Sequence, residues 1–172
     1  YIVTNYITYF YMKVNKILVT GSAGFIGHHL VQKFLESGNF EIVGLDVIND
    51  YYDVKLKHDR LLQHGINAVG LKERDSVLSK QFPNYRFVKA DLADYDFIVE
   101  FMMAERFDYV VNLAAQAGVR YSIDNPRAYI HANVEGFLSI LEGCRHSKVK
   151  HLIYASTSSV YGLNTKMPLS ES

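Results

Sequence analysis

Apolar and polar positions along the chain follow two periods in turn. Ile17-Leu18-Val19-Thr20 is a compact apolar run of strand length. Directly after it, Phe25, Ile26, Leu30, Val31, Phe34 and Leu35 recur at i, i+3/i+4 spacing, which predicts an amphipathic helix. The alternation then repeats. Glu41–Leu45 reads as a second strand and residues 53–64 as a helix with Val54, Leu56, Leu61 and Leu62 apolar. Arg86–Ala90 is a third strand, and 95–105 a helix carrying Phe97, Ile98, Phe101 and Met102. Asp108–Leu113 is a fourth strand. A long helix follows over 126–147, opening at Pro126, a residue the first turn accepts. His151–Ser156 is a fifth strand. Residues 65–84 carry a weaker pattern, in which Ile66, Val69 and Leu71 predict a short strand and Gln81-Phe82-Pro83-Asn84 a turn.

Strands alternating with helices, each connection long enough for a right-handed crossover, predict an α/β chain with a doubly wound parallel sheet of order 3-2-1-4-5. Such sheets bind ligands beyond the carboxyl ends of their strands. Gly21, Asp46, Asp91, Ala114 and Thr157 all follow predicted strand ends, so separate signals converge on one edge of the sheet.

The densest of these signals is Gly21-Ser22-Ala23-Gly24-Phe25-Ile26-Gly27, set between the first strand and the first helix. Glycine permits the tight turn and a close ligand approach, and the N–H groups at a helix start favour a negative pyrophosphate. A third glycine lets the helix lie close to the strand. The spacing is one residue longer between the first two glycines than the common dinucleotide fingerprint. Its context is complete, however: the second strand ends in Asp46, about 25 residues after Gly21, where a carboxylate accepts from a ribose 2′-hydroxyl. That carboxylate would repel a 2′-phosphate, so a Rossmann-type domain preferring NAD to NADP is expected.

Composition adds bounds. The chain of 172 residues suits one domain, and 49% apolar content supplies a core. Net charge is zero, which offers no electrostatic footprint for nucleic acid or a membrane surface. Cys144 is the single cysteine, so no intrachain disulfide or thiolate metal cluster is available, and a reducing cytoplasm fits. Its helical context places it in the core. The seven histidines show no metal-site spacing. Residues 1–11 are aromatic and β-prone without the features of a signal peptide. Met12 reads as the natural start, with 1–11 an annotation artefact. The alternative is a genuine arm that packs on the domain or on a partner.

The motifs Thr20–Gly27, Asp91-Leu92, Asn112-Leu113-Ala114-Ala115, Asn133-Val134-Glu135-Gly136 and Ser158-Ser159-Val160-Tyr161-Gly162 resemble the extended short-chain dehydrogenase/reductase family of nucleotide-sugar epimerases and dehydratases. Three segments resemble the UDP-glucuronate 4-epimerase branch: Asp50-Tyr51-Tyr52-Asp53, Ala115–Ser122 and Tyr161–Pro168. The resemblance runs from about Met12 to the end of the sequence.

It implies NAD-dependent epimerisation at C4 of a UDP-sugar acid through a 4-keto intermediate, with a tyrosine base acting on the 4-hydroxyl. By position, Gly21, Ala23, Gly24, Phe25, Ile26, Gly27, Asp46 and Asn49 would hold the pyrophosphate and ribose. Asp91 and Leu92 would border the adenine, and Ala114, Ala115, Gln116, Asn133 and Ser156 would line or brace the rest of the cofactor site, Asn133 by holding the loop after the fifth strand, although a helix cap or a surface role reads almost as well for Asn133. Thr157 would hydrogen-bond the 4-oxygen. Arg120, Ser158 and Ser159 would meet the substrate, although a surface arginine and a polar strand end read equally from the residues alone. Lys57 is a weaker cofactor candidate, since helix lysines are usually solvated. Dehydratases of the family carry an Asp-Glu pair where this chain has Ser158-Ser159, which disfavours dehydration.

The family's Tyr-x-x-x-Lys base is expected some two dozen residues beyond Thr157, past Ser172. Tyr161 is not it, because Thr165 holds the lysine position. The chain therefore resembles the N-terminal half of an epimerase: an incomplete Rossmann sheet of about five strands over 12–172, without the substrate domain. Alone it is expected to be inactive, with an apolar patch left at the fifth strand. The full-length protein is expected to be a cytoplasmic homodimer. A non-catalytic NAD-binding module, or half of a UDP-glucose 4-epimerase or a UDP-glucuronate decarboxylase, remain alternative readings.

Overall fold

The computed structural model describes residues 14–163 and 167–170. The expectations for residues 1–11 and Met12, and for Asn164-Thr165-Lys166, lie outside the described residues. Strand β1 (Asn15–Thr20) leads through the glycine turn into helix α1 (Phe25–Ser37). Strand β2 (Phe40–Asp46), helix α2 (Val54–Gln63), β3 (Ser76–Leu78) and β4 (Tyr85–Lys89) follow. Then come α3 (Tyr95–Glu105), β5 (Tyr109–Asn112), and the short helices α4 (Tyr121–Asp124) and α5 (Pro126–Ile130). A π-helical segment (His131–Glu135), α6 (Gly136–Ser147), β6 (His151–Tyr154) and a 3-10 turn (Ser158–Tyr161) complete the order.

The six strands form one sheet in the order β3-β4-β2-β1-β5-β6. The five parallel strands stand in the predicted 3-2-1-4-5 order. The sixth, β3, is antiparallel to β4 and lies at residues 76–78 rather than over Ile66–Leu71. The apolar residues of that stretch do something else: Ile66 and Ala68 are buried under the sheet without pairing in it. A buried apolar loop and a buried strand carry the same local pattern.

Two cores flank the sheet. Val31 and Leu35 of α1 and Leu61 of α2 pack with Ile17, Val19, Ile42, Tyr85 and Phe87 on one face. On the other, Ile98 and Met102 of α3 and Ile140 of α6 pack with Leu18, Val43, Leu45, Val88 and Val110. Alternate residues of β1 thus serve opposite cores, as a strand buried on both faces requires. The predicted apolar face of α1 is half right. Phe25 and Ile26 are 67% and 65% exposed, because the first turn of α1 stands at the edge of the sheet above the core. Cys144 is only partly buried, beside the second core, and burial pushes its thiol up to about 11, which keeps it unreactive.

Helix α2 starts where Asp53 accepts a hydrogen bond from the Lys55 N–H at 2.9 Å. Asp53→Ala is expected to cost about 1 kcal/mol. That corresponds to a fall in thermal midpoint of about 2–4 °C, to be read by calorimetry.

Candidate functional site

The turn after β1 is closed by its own backbone. The Gly24 N–H donates to the Gly21 carbonyl at 2.9 Å, and the His28 N–H donates to Gly24 at 3.0 Å, opening α1. Gly21 has φ +67°, and a Cβ there would stand 2.8 Å from the Ala114 nitrogen. A Cβ on Gly27 would fall 2.1 Å from the Gly21 carbonyl oxygen. The third glycine therefore seats the helix directly on the turn. Gly27→Ala must push α1 outward, an overpacking expected to cost about 1–3 kcal/mol. A urea titration would read this, together with a fall in dinucleotide affinity of about tenfold or more.

Asp46, at the end of β2, is buried and grips this turn from the side. Its Oδ2 accepts from the Ala23 N–H at 3.2 Å, and its Oδ1 accepts from the Ile48 N–H at 2.8 Å. Lys57 on α2 also reaches Oδ1 at 3.2 Å, and it donates to the Asn49 side chain at 2.8 Å. Lys57 is only 5% exposed, which corrects its reading as a solvated helix lysine. The signal was present: Lys57 lies four residues before buried Leu61 and so shares its face. Arg60, one turn on, donates to the Ala23 carbonyl at 3.2 Å and to the Tyr52 hydroxyl at 3.0 Å. The sequence alone does not single out Arg60, and it marks Tyr52 only within the Asp50–Asp53 resemblance, without a role in the site.

Across the cleft, Thr20 Oγ1 donates to Asn112 at 2.6 Å and accepts from the N–H groups of Leu113 and Ala114. This turns the chain after β5 past the glycines. Asn133 accepts from the Gln116 N–H at 2.8 Å and donates to the Gln116 carbonyl at 3.0 Å. It thus braces the loop after the fourth parallel strand, not the loop after the fifth as expected. Asn133 lies in the π-helical segment that interrupts the predicted 126–147 helix, and such bulges concentrate at functional sites. Asp91 accepts from the Ala93 N–H at 2.9 Å and meets His131 Nε2 at 2.8 Å.

Together these elements enclose a cleft of about 430 Å3 at the carboxyl ends of the strands. Gly21, Gly24, Phe25, Asp46, Asn49, Asp91, Leu92, Ala114, Ala115 and Gln116 line it, as do Tyr51, Tyr52, Lys57 and Arg60. The other predicted residues stand apart from it. Ala23 and Gly27 are buried beneath the turn, Ile26 points outward, and Asn133 acts through Gln116. Ser156, Thr157, Ser158 and Ser159 are exposed beyond β6, where Thr157 Oγ1 accepts from the Ser159 N–H at 3.3 Å. Arg120 is exposed at the start of α4.

The Tyr-x-x-x-Lys spacing recurs twice within the described residues, at Tyr51/Lys55 and Tyr85/Lys89. Neither forms an acid–base pair. Lys55 is tied to Asp59 on the outer face of α2, and Lys89 donates to the Leu71 carbonyl. Tyr85 is fully buried, and burial holds its phenol above the ordinary value. Among the described residues no group of three or more His, Cys, Asp or Glu side chains is placed to hold a metal ion. No helix there is long and apolar enough to cross a membrane.

The cleft fits a dinucleotide: a glycine turn whose Cβ positions are already occupied, a helix N-terminus, and a buried carboxylate with acceptor capacity left on Oδ2. A doubly wound sheet with this cleft defines a dinucleotide-binding unit. The model of the NAD dependent epimerase/dehydratase family matches residues 17–172, and the chain belongs to that family. Protein CapI of Staphylococcus aureus is 50% identical over 157 residues, 91% of this chain and 42% of that protein. UDP-glucuronate 4-epimerase 2 of Arabidopsis thaliana is 40% identical over 156 residues, 90% of this chain and 32% of that protein. Among solved structures, UDP-glucuronic acid 4-epimerase from Bacillus cereus, in complex with UDP-glucuronic acid and NAD, superposes with a TM-score of 0.72 at 32% identity. That match covers 91% of this chain and 44% of that one. The chain spans less than half the length of the relatives it matches.

Proposed function

We propose that this chain is the NAD-binding part of a nucleotide-sugar epimerase that interconverts UDP-glucuronate and UDP-galacturonate at C4. The observation that carries the reading is the cleft itself, in which the glycine turn and Asp46 are locked to one another by the Ala23–Asp46 hydrogen bond. Bound NAD would supply a hydride acceptor and donor at C4. The N–H groups at the start of α1 receive the pyrophosphate, and Asp46, with Lys57 and Asn49 holding its orientation, accepts from the adenosine ribose. Asp91 and Leu92 border the adenine. Ala114, Ala115 and Gln116 line the remaining length, with Asn133 fixing the Gln116 peptide. Ser156, exposed beyond the end of β6, is assigned to continue that wall. Thr157 is assigned to the sugar 4-oxygen, and Ser158, Ser159 and Arg120 to the sugar carboxylate and phosphates. The similarity to UDP-glucuronate 4-epimerases supports the substrate class.

Calorimetry on the 172-residue chain tests the cofactor half of this reading. NAD is expected to bind saturably and NADP about tenfold or more weakly, because Asp46 disfavours a 2′-phosphate. A folded chain that binds neither would overturn it. The substrate half is tested with a chimera joining residues 17–172 to the unmatched part of Protein CapI. Turnover of UDP-glucuronate, followed by NMR, supports the assignment, and turnover of UDP-glucose alone removes it.

A further inference from the structure

The π-helical segment His131–Glu135 reaches both of the loops that wall the cleft beyond β4 and β5. Ala132 lines the cleft itself. The residues on either side of it in sequence go to different loops. Asn133 holds the Gln116 peptide in the loop after β5. His131 holds Asp91 in the loop after β4, with Nε2 2.8 Å from Oδ2. Gly136, just past the segment, packs on that same loop, where a Cβ would stand 2.9 Å from the Leu92 Cβ. The functional reading gives Asn133 a task and leaves His131 without one.

The His131 ring lies between two carboxylates. Nε2 faces Asp91, and Nδ1 faces Glu135 Oε2 at 3.2 Å. A neutral imidazole has one N–H and donates to one of them, whereas the imidazolium donates to both. The arrangement therefore favours the protonated ring, and the hydrogen bond to Asp91 raises its pKa. Asp91, from the loop after β4, and Glu135, from the ring's own helical segment, are the charged groups that face it. Asp91 in turn is held at both oxygens. Its Oδ1 accepts from the Ala93 N–H at 2.9 Å, and its Oδ2 meets His131. Each oxygen keeps acceptor capacity, and Asp91 lines the cleft. A carboxylate fixed in this way accepts from an exocyclic amino group and repels a carbonyl oxygen at the same place. Adenine presents an amino group at its 6-position, and a 6-oxo purine such as guanine presents a carbonyl.

We infer that His131 is a positioning residue for base selection: its imidazolium fixes the Asp91 carboxylate at the adenine edge, so that the cleft selects a 6-amino over a 6-oxo purine dinucleotide and relaxes that selection when the ring gives up its proton. The inference rests on the functional reading above, which sets the adenine beside Asp91. Selection is complete below the pKa of the ring and declines as the pH rises through it, because the neutral ring can no longer donate to both carboxylates. Asp91 is then held by the Ala93 N–H alone in a share of the molecules. The pair is partly exposed, with side-chain exposures of 53% for His131 and 36% for Asp91, so the effect is moderate, about threefold.

The test is calorimetry of the 172-residue chain with NAD and with nicotinamide hypoxanthine dinucleotide, in which a 6-oxo group replaces the 6-amino group. The parent is expected to prefer NAD, by a ratio that falls about threefold between pH 6 and pH 8 as the His131 ring signal in the NMR spectrum titrates. His131→Ala is expected to show the lower ratio at both pH values. His131→Gln, whose amide donates from the place of Nε2 and does not titrate, is expected to keep the higher ratio at both. Far-UV spectra check that these substitutions at an exposed position leave the fold intact. Equal ratios in the parent and His131→Ala overturn the inference, as does a ratio that stays constant while the ring titrates. A variant that loses affinity for both dinucleotides equally has lost only structure, and that result overturns the inference too. In each of these cases NAD still binds the parent and the functional reading stands. A folded parent that binds neither dinucleotide removes that reading, and this inference with it.

Discussion

Asp46→Ala is expected to lower the unfolding free energy by about 3–5 kcal/mol, because it strands a buried cation. Lys57 has Asp46 and Asn49 as partners, and both members of the ion pair are almost fully buried. The substitution also removes the acceptor for the Ala23 N–H inside the glycine turn. Stability and cofactor affinity should therefore fall together in this variant, which alone cannot separate the two roles. The double variant Asp46→Ala/Lys57→Met separates them. Replacing both members of a buried pair by apolar groups is often close to neutral, so most of the lost stability should return. The ribose acceptor does not return, and NAD affinity should stay about tenfold or more below that of the parent chain. Urea unfolding and calorimetry read the two quantities. A single variant within about 1 kcal/mol of the parent would show that Lys57 escapes to solvent and that the pair does not hold the turn.

Acid is expected to destabilise this domain before its carboxylates titrate. His28 and His64 stack with ring centroids 4.4 Å apart beneath the start of α1, and Tyr85 meets His64 edge-on at 5.9 Å. Burial, and the like charge of His28 and His29, push His64 down to about 4. Burial, with the positive charges of His29 and Arg60, lowers His28 as well. A histidine depressed in the folded state binds more protons when unfolded. Its contribution is complete above the unfolded value near 6.5 and drains as the pH falls toward 4. For His64 the full loss is about 3 kcal/mol. His131 runs the other way. Its hydrogen bond to Asp91 raises it, so its contribution is present below about 6.5 and is lost as the pH rises through the raised value. That pair is largely exposed and worth little, and its window lies above the acid one. His64→Phe, which gives up ring nitrogens that have no hydrogen-bond partner, should stay within about 1 kcal/mol of the parent at pH 7.5. It should be the more stable protein at pH 5. Equal acid sensitivity of variant and parent in urea titrations would remove the histidine pair as the cause.

Much of the architecture was legible because it rests on short-range rules. The runs at Ile17–Thr20, Glu41–Leu45 and Arg86–Ala90 predicted three adjacent parallel strands to within a residue or two, since a strand buried on both faces must be apolar throughout. The Gly21–Gly27 spacing and the acid at the end of β2 located the cleft. Two of the misses are residues whose role is fixed by a distant neighbour. The antiparallel β3 was missed because Ser76-Val77-Leu78 pairs only through β4. The interruption of the 126–147 helix was missed because Asn133 answers to Gln116, 17 residues earlier.

The sequence by itself determined the order of elements, the strand–turn–helix at Gly21 and the carboxylate at Asp46, because backbone conformation and hydrophobic period are written within a few residues of each position. Only the tertiary structure decided that Lys57 is buried against Asp46 and that Arg60 and Tyr52 close the cleft. Burial and pairing of polar groups depend on which elements meet in space, and a linear pattern carries that information only after the fold has brought them together.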